Sequence, residues 1–367
     1  MKSFHKLTLF LLVATSMLFA SPAMAAATMP PVTQKESAVI NTLFAKTKPQ
    51  CIGRYVIDVP VSFDNQLRDM IFIDDFKISS KWIYPPAFHQ RIKLREQELR
   101  EAINRPENEP EDAPYIKEKI LLPEGKGVIF DHNESDTPDI YRQLEAHVYV
   151  NNVAFVITAE FRDFSGEKNK EKKAGYLARG FTEADANTKP AKLAALQSLI
   201  SRLSGRQDEV IPEEKGVCIP NGFIRDDGAP HTERVTFHYG NEDFNFGAEM
   251  DNTIQGSDDT LFNRSAQINE ALKTSNEYSI KKEARTINSI PTEMWLFGGK
   301  QTLRNEQTKE DDKITFYDFD LYANERDATP EKPNLNIGLS SEYLKTRYSE
   351  AQMIEVWDRL VNSLRFR

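Results

Sequence analysis

Cys51-Ile-Gly-Arg-Tyr-Val-Ile-Asp58-Val-Pro60 is echoed in the second half of the chain by Cys218-Ile-Pro-Asn-Gly-Phe-Ile-Arg-Asp226-Asp. Both runs open on Cys-Ile, pass through an aromatic beside an aliphatic residue, and close on an acid. A second echo follows each of them. Leu196, Leu199, Ile200 and Leu203 match Trp357, Leu360, Val361 and Leu364 at one constant offset. Two anchors with nearly the same spacing imply two related halves of one chain.

The segments between the anchors carry both periodicities. Val39, Ile40, Leu43 and Phe44 predict a helix over 34–46, and Phe88, Ile92, Leu99 and Ile103 one over 87–103. Residues 51–59 read as a strand stopped by Pro60, and 70–83 as strand-like with partial alternation. Strands are expected at 127–132, 141–150 and 153–164, the last two joined by an Asn151-Asn152 turn, because Asn tolerates positive φ. A helix at 191–204 closes the half, with Gly205 as its stop. The second half repeats the order: strands at 218–225, 234–239 and 244–250, a helix at 258–272 burying Leu261, Ile268 and Leu272, strands at 292–303, 314–323 and 335–339, and a helix at 350–364. The expected class is α+β, with two related domains, each an antiparallel sheet with packed helices. The boundary falls near residue 210, so the domains are 26–210 and 211–367.

Residues 1–25 have the form of a secretory signal. Lys2 and Lys6 supply the positive start, Leu7 to Ala20 is mostly apolar, and Ala23-Met24-Ala25 is an A-x-A cleavage site. The expected location is therefore the periplasm, after cleavage near Ala25. No later stretch approaches the length of a membrane span, so no stable membrane insertion is expected. Losing Lys2 and Lys6 takes the net charge from −9 to −11. Such an acidic surface argues against nucleic acid and anionic lipid, and would suit a basic protein partner. Two cysteines survive cleavage into an oxidising compartment. A Cys51–Cys218 disulfide is one reading, and two buried free thiols are the other.

The residues point to no chemistry. There is no Gly-x-Ser-x-Gly elbow, P-loop, dinucleotide fingerprint or His-Glu-x-x-His run. His89, His132, His147, His231 and His238 are not at zinc-ligand spacing. Asp318 and Asp320 alternate with Tyr317, Phe319 and Leu321 and share one face of a strand, which reads as the wet side of that strand before it reads as an acid/base pair. No catalytic, cofactor-binding or metal-ligating residue is assigned, and no cofactor is expected. The acidic loops 105–114 and 305–313 are candidate partner-facing segments; individual partner-binding residues stay unassigned.

The Cys51 to Pro60 run resembles the opening of the N-terminal domain of the periplasmic immunity proteins paired with type VI secretion lipases of the fourth class. Gly216-Val-Cys218-Ile-Pro-Asn-Gly222-Phe223-Ile224 resembles the opening of that family's C-terminal domain. The two motifs stand in the family's order and cover essentially the whole mature chain. The resemblance implies a non-catalytic inhibitor that grasps a cognate phospholipase effector between two domains and keeps it off membrane lipid. In that setting Gly53, Gly222 and Pro60 serve backbone geometry, and Arg54 is an ion-pair strut before it is an exposed contact. The rival classes are a periplasmic hydrolase with an unfamiliar site and a generic envelope binding module.

Overall fold

The computed structural model describes residues 33–66, 70–304 and 309–367. The signal-peptide reading, its cleavage site and part of the 305–313 loop lie outside the described residues. The first half comprises α1 (Gln34–Leu43), β1 (Thr47–Ile52), β2 (Tyr55–Pro60), β3 (Asp64–Asn65), β4 (Ile71–Ile73), β5 (Phe76–Trp82) and α2 (Pro85–Glu101). It continues through β6 (Ile116–Leu121), β7 (Gly127–Asn133), β8 (Tyr141–Val150), β9 (Val153–Arg162), α3 (Lys170–Leu177), α4 (Glu183–Ala186), α5 (Lys189–Arg202) and β10 (Leu203–Gly205). The second half comprises β11 (Gly216–Ile219), β12 (Gly222–Arg225), β13 (Glu233–Gly240), β14 (Asn245–Asp251) and α6 (Ser265–Thr274). It ends with β15 (Glu277–Ile287), β16 (Ile290–Arg304), β17 (Asp311–Ala323), β18 (Asn334–Ser340), α7 (Glu350–Asn362) and β19 (Arg365–Phe366).

The main sheet runs β15-β16-β17-β18-β14-β13-β4-β5-β9-β8-β7-β6, with β3 also on β13. Its order is a palindrome. Outward from the β4–β13 seam, each half lays down an inner hairpin, then four strands ending on a charged edge strand. The same order holds along the chain: arm hairpin, inner hairpin, one helix, four strands, a covering helix (preceded in the first half by α3 and α4), and a short strand. The halves are thus related by a pseudo-twofold, and their sheets join edge to edge through pairs such as Val235↔Ile71. The repeat in the sequence is a repeat in the fold, and the class is α+β with antiparallel pairing.

Alternation decides the faces. Val235 and Phe237 on β13, Phe246 and Ala248 on β14, Leu335, Ile337 and Leu339 on β18, and Phe319 and Leu321 on β17 all enter one core. Ile78, Leu144, Ala146, Phe155 and Ile157 continue the same layer across the first half. Covering it are α5, through Leu196 and Leu199, and α7, through Met353, Val356, Trp357, Leu360 and Val361. Ser349 starts α7 with a capping box to Gln352, which satisfies amides that would otherwise lack acceptors. The helix α1 packs on α7, where Ser349 Oγ donates to Glu36 at 2.8 Å.

The two echoed motifs are arms, and they are crossed. The β1–β2 hairpin of the first half lies on the second half: β2 pairs with β19, Tyr239 donates to Gln50 at 3.0 Å, and Asn324 donates to Tyr55 at 2.7 Å. The β11–β12 hairpin of the second half lies on the first half. There β12 pairs with β10, Ser80 donates to the Pro220 carbonyl at 2.7 Å, and Trp82 Nε1 donates to Asn221 at 2.8 Å. Where the arms meet, the sulfurs of Cys51 and Cys218 are 2.03 Å apart, and Gly53 and Cys218 exchange both backbone hydrogen bonds, at 3.0 and 2.9 Å. Gly53 has φ +59, and a Cβ there would stand 2.3 Å from Met250 Sδ, so this position needs glycine twice over. At Gly222 the constraint is close approach, since a Cβ would meet the Phe155 ring at 2.8 Å.

Two arginines at matching places tie the arms down. Arg206 follows β10 and donates to the carbonyls of Gly222, Asp208 and Cys51. Arg367 follows β19 and donates to the carbonyls of Pro212, Glu214 and Gly216, with its guanidinium 5.0 Å from the centre of the Phe223 ring. Burial lowers the pKa of both.

Some expected elements differ. Residues 70–83 form a hairpin, turning at Asp74 with φ 51. The helix expected from 258 starts at Ser265, because Glu325 and Glu293 accept from the amides of Leu261 and Phe262 and hold that stretch as a turn. Leu261 is buried there, but Ile268 and Leu272 are only half-buried. The edge strands β6 and β15 show no alternation in sequence. Their charges on both faces fit strands with one open edge.

Crossed arms make the halves interdependent. Fragments 26–210 and 211–367 expressed apart should each lack the arm that covers their core. Circular dichroism and urea titration should show neither folding alone, against one cooperative transition for the intact chain. Replacing both cysteines by alanine should cost about 3–5 kcal/mol in urea unfolding, because a cross-link spanning 167 residues restrains a long loop in the unfolded chain.

Candidate functional site

The sheet face opposite the core is largely bare. At one end, α2 stands over β7 and β8, burying Leu99 against Val128 and Phe130 and setting Phe88 5.1 Å from Tyr149. At the other end, α6 and the turn before it stand over β15 and β16, where Lys282 lies between the rings of Phe262 and Trp295. The floor between them consists of β9, β5, β4, β13, β14 and β18. From β8 to β17 that is seven strand spacings, or about 30 Å. A trough of that width suits a protein surface, whereas small-molecule sites are narrower and more enclosed.

The floor is polar and of mixed charge. Thr158, Lys77, Arg234, Thr236, Glu249 and Asn336 point into it by strand alternation. Phe72 and Phe297 are half-buried apolar side chains on the same face. At the seam the floor deepens into a cavity of 680 Å³ whose lining includes Phe72, Asp74, Lys77, Glu160, Glu233 and Arg234.

Ion pairs cross this seam. Arg54, from the first arm, donates to Glu233 at 2.9 Å and to Asp226 at 3.1 Å, so the expected strut is what the structure shows. Burial alone would lower the Arg54 pKa, but its hydrogen bonds to the two acids outweigh that and raise it. Burial raises Glu233, against the pull of Arg54. His231 sits between Asp74 of the first half, at 2.8 Å, and Asp227 of the second, at 3.1 Å. Arg202 Nε reaches Asp227 at 3.3 Å.

The remaining sequence candidates fall elsewhere. Glu145 accepts from Arg95, His132 and His147 beneath α2. Burial opposes its ionisation, but those three partners hold its pKa well below the usual range. That cluster braces α2. No nucleophile contacts either histidine among the described hydrogen bonds. Among the described residues no group of His, Cys, Asp and Glu could hold a metal. The 105–114 loop is tied down, its Asp112 paired with Lys168 at 2.9 Å and its Asp112 carbonyl bonded to Asn133 at 2.7 Å. In the 305–313 loop, Asp312 pairs with Lys345 at 3.0 Å. Asp318 and Asp320 share the open face of β17 and are half-buried, drier than the wet strand side that their alternation predicts. The trough itself was not visible in the sequence. It depends on which strands meet at the seam, and that pairing has no local sequence signal.

Two crossed α+β halves frame a trough whose width suits a protein surface. The family comparison is specific: the Tle cognate immunity protein 4 N-terminal domain matches residues 48–206, and the C-terminal domain of the same family matches 210–367. The chain belongs to the Tle cognate immunity protein 4 family, a family of immunity proteins and not of enzymes. It is similar in fold to the apo immunity protein TplEi of the type VI secretion system of Pseudomonas aeruginosa, at 17% identity and TM-score 0.65, covering 88% of this chain and 97% of that one. A chain in the crystal structure of a Tle4–Tli4 complex matches at 18% identity and TM-score 0.62, covering 88% and 98%. No curated protein sequence matches the chain.

The seam has a pH dependence with a definite sign. Burial lowers His231, but Asp74 and Asp227 raise it, and the net pKa lies above the ordinary 6.5. A histidine with a raised folded-state pKa contributes stability that is fully present below its unfolded value and is lost as pH rises through the folded one. Thermal unfolding of the wild type and His231→Gln should therefore differ most below pH 6.5 and converge at alkaline pH.

Proposed function

We propose that this chain is the periplasmic antidote to a secreted type VI phospholipase, binding it one-to-one in the trough between α2 and α6. The observation that carries this reading is the family match over both domains, combined with a trough about 30 Å wide on a bare sheet face. A standard protein interface takes about 800 Å² from each partner, and the floor spans six strands. The solved relatives support it through their own titles, one a Tle4–Tli4 complex and another TplEi bound to an "L" peptide.

The inhibition follows from geometry. A lipase must present its active-site rim to a membrane. A partner that clasps that rim from two sides, and binds the closed form better than the open one, shifts the population away from the lipid-bound enzyme. The two walls belong to different domains, 26–210 and 211–367, and the seam ion pairs fix their spacing. Oxidising conditions suit the Cys51–Cys218 pairing, and the expected signal at 1–25 would deliver the mature chain there, with cleavage after Ala25. No helix among the described residues is long and apolar enough to cross a membrane.

The test is a titration of the intact mature protein against its cognate lipase, acting on phospholipid micelles. Activity should fall linearly to zero at equimolar protein. Phe72→Ala, on the trough floor, and Phe297→Ala, at its edge beside α6, should each weaken binding about tenfold or more, equivalent to about 1.4 kcal/mol. Lys93→Ala, on the outer face of α2, should leave it unchanged. Full lipase activity under excess protein would refute the reading.

A further inference from the structure

The pseudo-twofold sets matching strands in different circumstances. In the first half, Glu145 on the open face of β8 is closed over by α2: Arg95 donates to it at 2.9 and 2.8 Å, and His132 and His147 complete the cluster. The matching strand of the second half is β17, whose open face carries Asp318 and Asp320. The helix on that side is α6, ten residues against the seventeen of α2; it packs on β15, and Arg264 at its start lies over the Tyr322 ring of β17. No described cation takes the place of Arg95. Asp318 has a hydrogen bond with Ser340, and Glu342 and Glu277 add only negative charge. Lys282 is held 4.3 and 4.4 Å from the rings of Phe262 and Trp295, and Arg264 pairs with Glu325 at 2.9 Å. Across from the acids, Phe297 and Trp295 stack at 5.4 Å, with Phe297 pairing directly with Asp318 in the sheet. On the other side lies Gly338, where even an added Cβ would stay 3.7 Å from Asp320 Oδ1.

We propose that Asp318 and Asp320, walled by Phe297 and floored by Gly338, form a notch that receives a guanidinium side chain of the bound lipase. It would do between proteins what Arg95 does within the first half. This rests on the lipase-binding reading above. The chemistry favours arginine over lysine. Two adjacent carboxylates match the planar fork of a guanidinium, and the aromatic wall accepts its flat face. The free protein keeps this acid pair at a cost. Burial and then Asp318 push Asp320 up to about 7, which favours a proton held on the pair, and no described cation offsets the repulsion. A cation arriving there would expel that proton and remove the repulsion.

The experiment uses the intact mature chain with two probes. The first is the cognate lipase, its affinity measured by calorimetry at pH 8 for wild type, Asp318→Asn/Asp320→Asn, and Glu270→Gln on exposed α6 as a surface-charge control. The double variant should bind at least tenfold more weakly, mainly through faster dissociation, with the control within twofold. It should also melt no lower than wild type at pH 8, because it removes unpaired acids, so weak binding cannot be misfolding. The second probe is N-acetyl-arginine amide, followed through the carboxyl carbon resonance of Asp320. Added arginine should lower the pH midpoint of that resonance, and N-acetyl-lysine amide should do so less. If wild type binds the lipase and the double variant binds as tightly, the notch is refuted while the lipase reading stands. If wild type does not bind the lipase, that reading falls and the notch falls with it as a lipase contact, whatever arginine does to the Asp320 midpoint.

Discussion

The structure depends on one crossing. Two hairpins, each opening its own half of the chain, swap sides, and they meet where Gly53 and Cys218 exchange backbone hydrogen bonds beside the Cys51–Cys218 sulfurs. Everything in the trough follows from that exchange. Each arm covers the core of the other half, so the halves cannot drift apart. Arg54 rides on the first arm to reach Glu233 and Asp226 at the seam. Arg206 and Arg367, at matching places, seal the arms from behind by donating to backbone carbonyls that would otherwise be buried without partners.

This arrangement resolves a conflict in the proposed function. A clasp needs two walls on a wide floor, and a wide open sheet is a poor platform if it twists or hinges freely. Joining the two sheets through only a few β4–β13 pairs would leave a weak line across the middle. The crossed arms, the single core running through both halves and the seam ion pairs stiffen that line. A rigid trough gives up less entropy on binding, which favours tight complexes.

The sequence showed the duplication, and the structure shows why. Cys51 and Cys218 open equivalent hairpins, and Leu196 and Trp357 are equivalent core residues of α5 and α7. Alternation located β8, β9, β17 and β18, because each has one dry face. It missed β6 and β15, whose exposed positions carry lysine and glutamate on both faces as edge strands do. The arm exchange was not legible, since nothing in Cys51 to Pro60 says which half it will cover. The family resemblance reached the function from these same motifs, yet the motif residues turn out to hold the scaffold. The proposed binding surface lies on the opposite sheet face, among residues such as Phe72, Arg234, Asp320 and Phe297 that share no sequence pattern because they come from separate strands.

The central claim is that the partner sits on the bare sheet face, between a wall from each half. A crystal structure of the intact chain with its cognate lipase tests it most directly. Lipase density is expected against β13, β14 and β18, flanked by α2 and α6. A lipase seated instead on α5 and α7, or on the crossed arms, would contradict it.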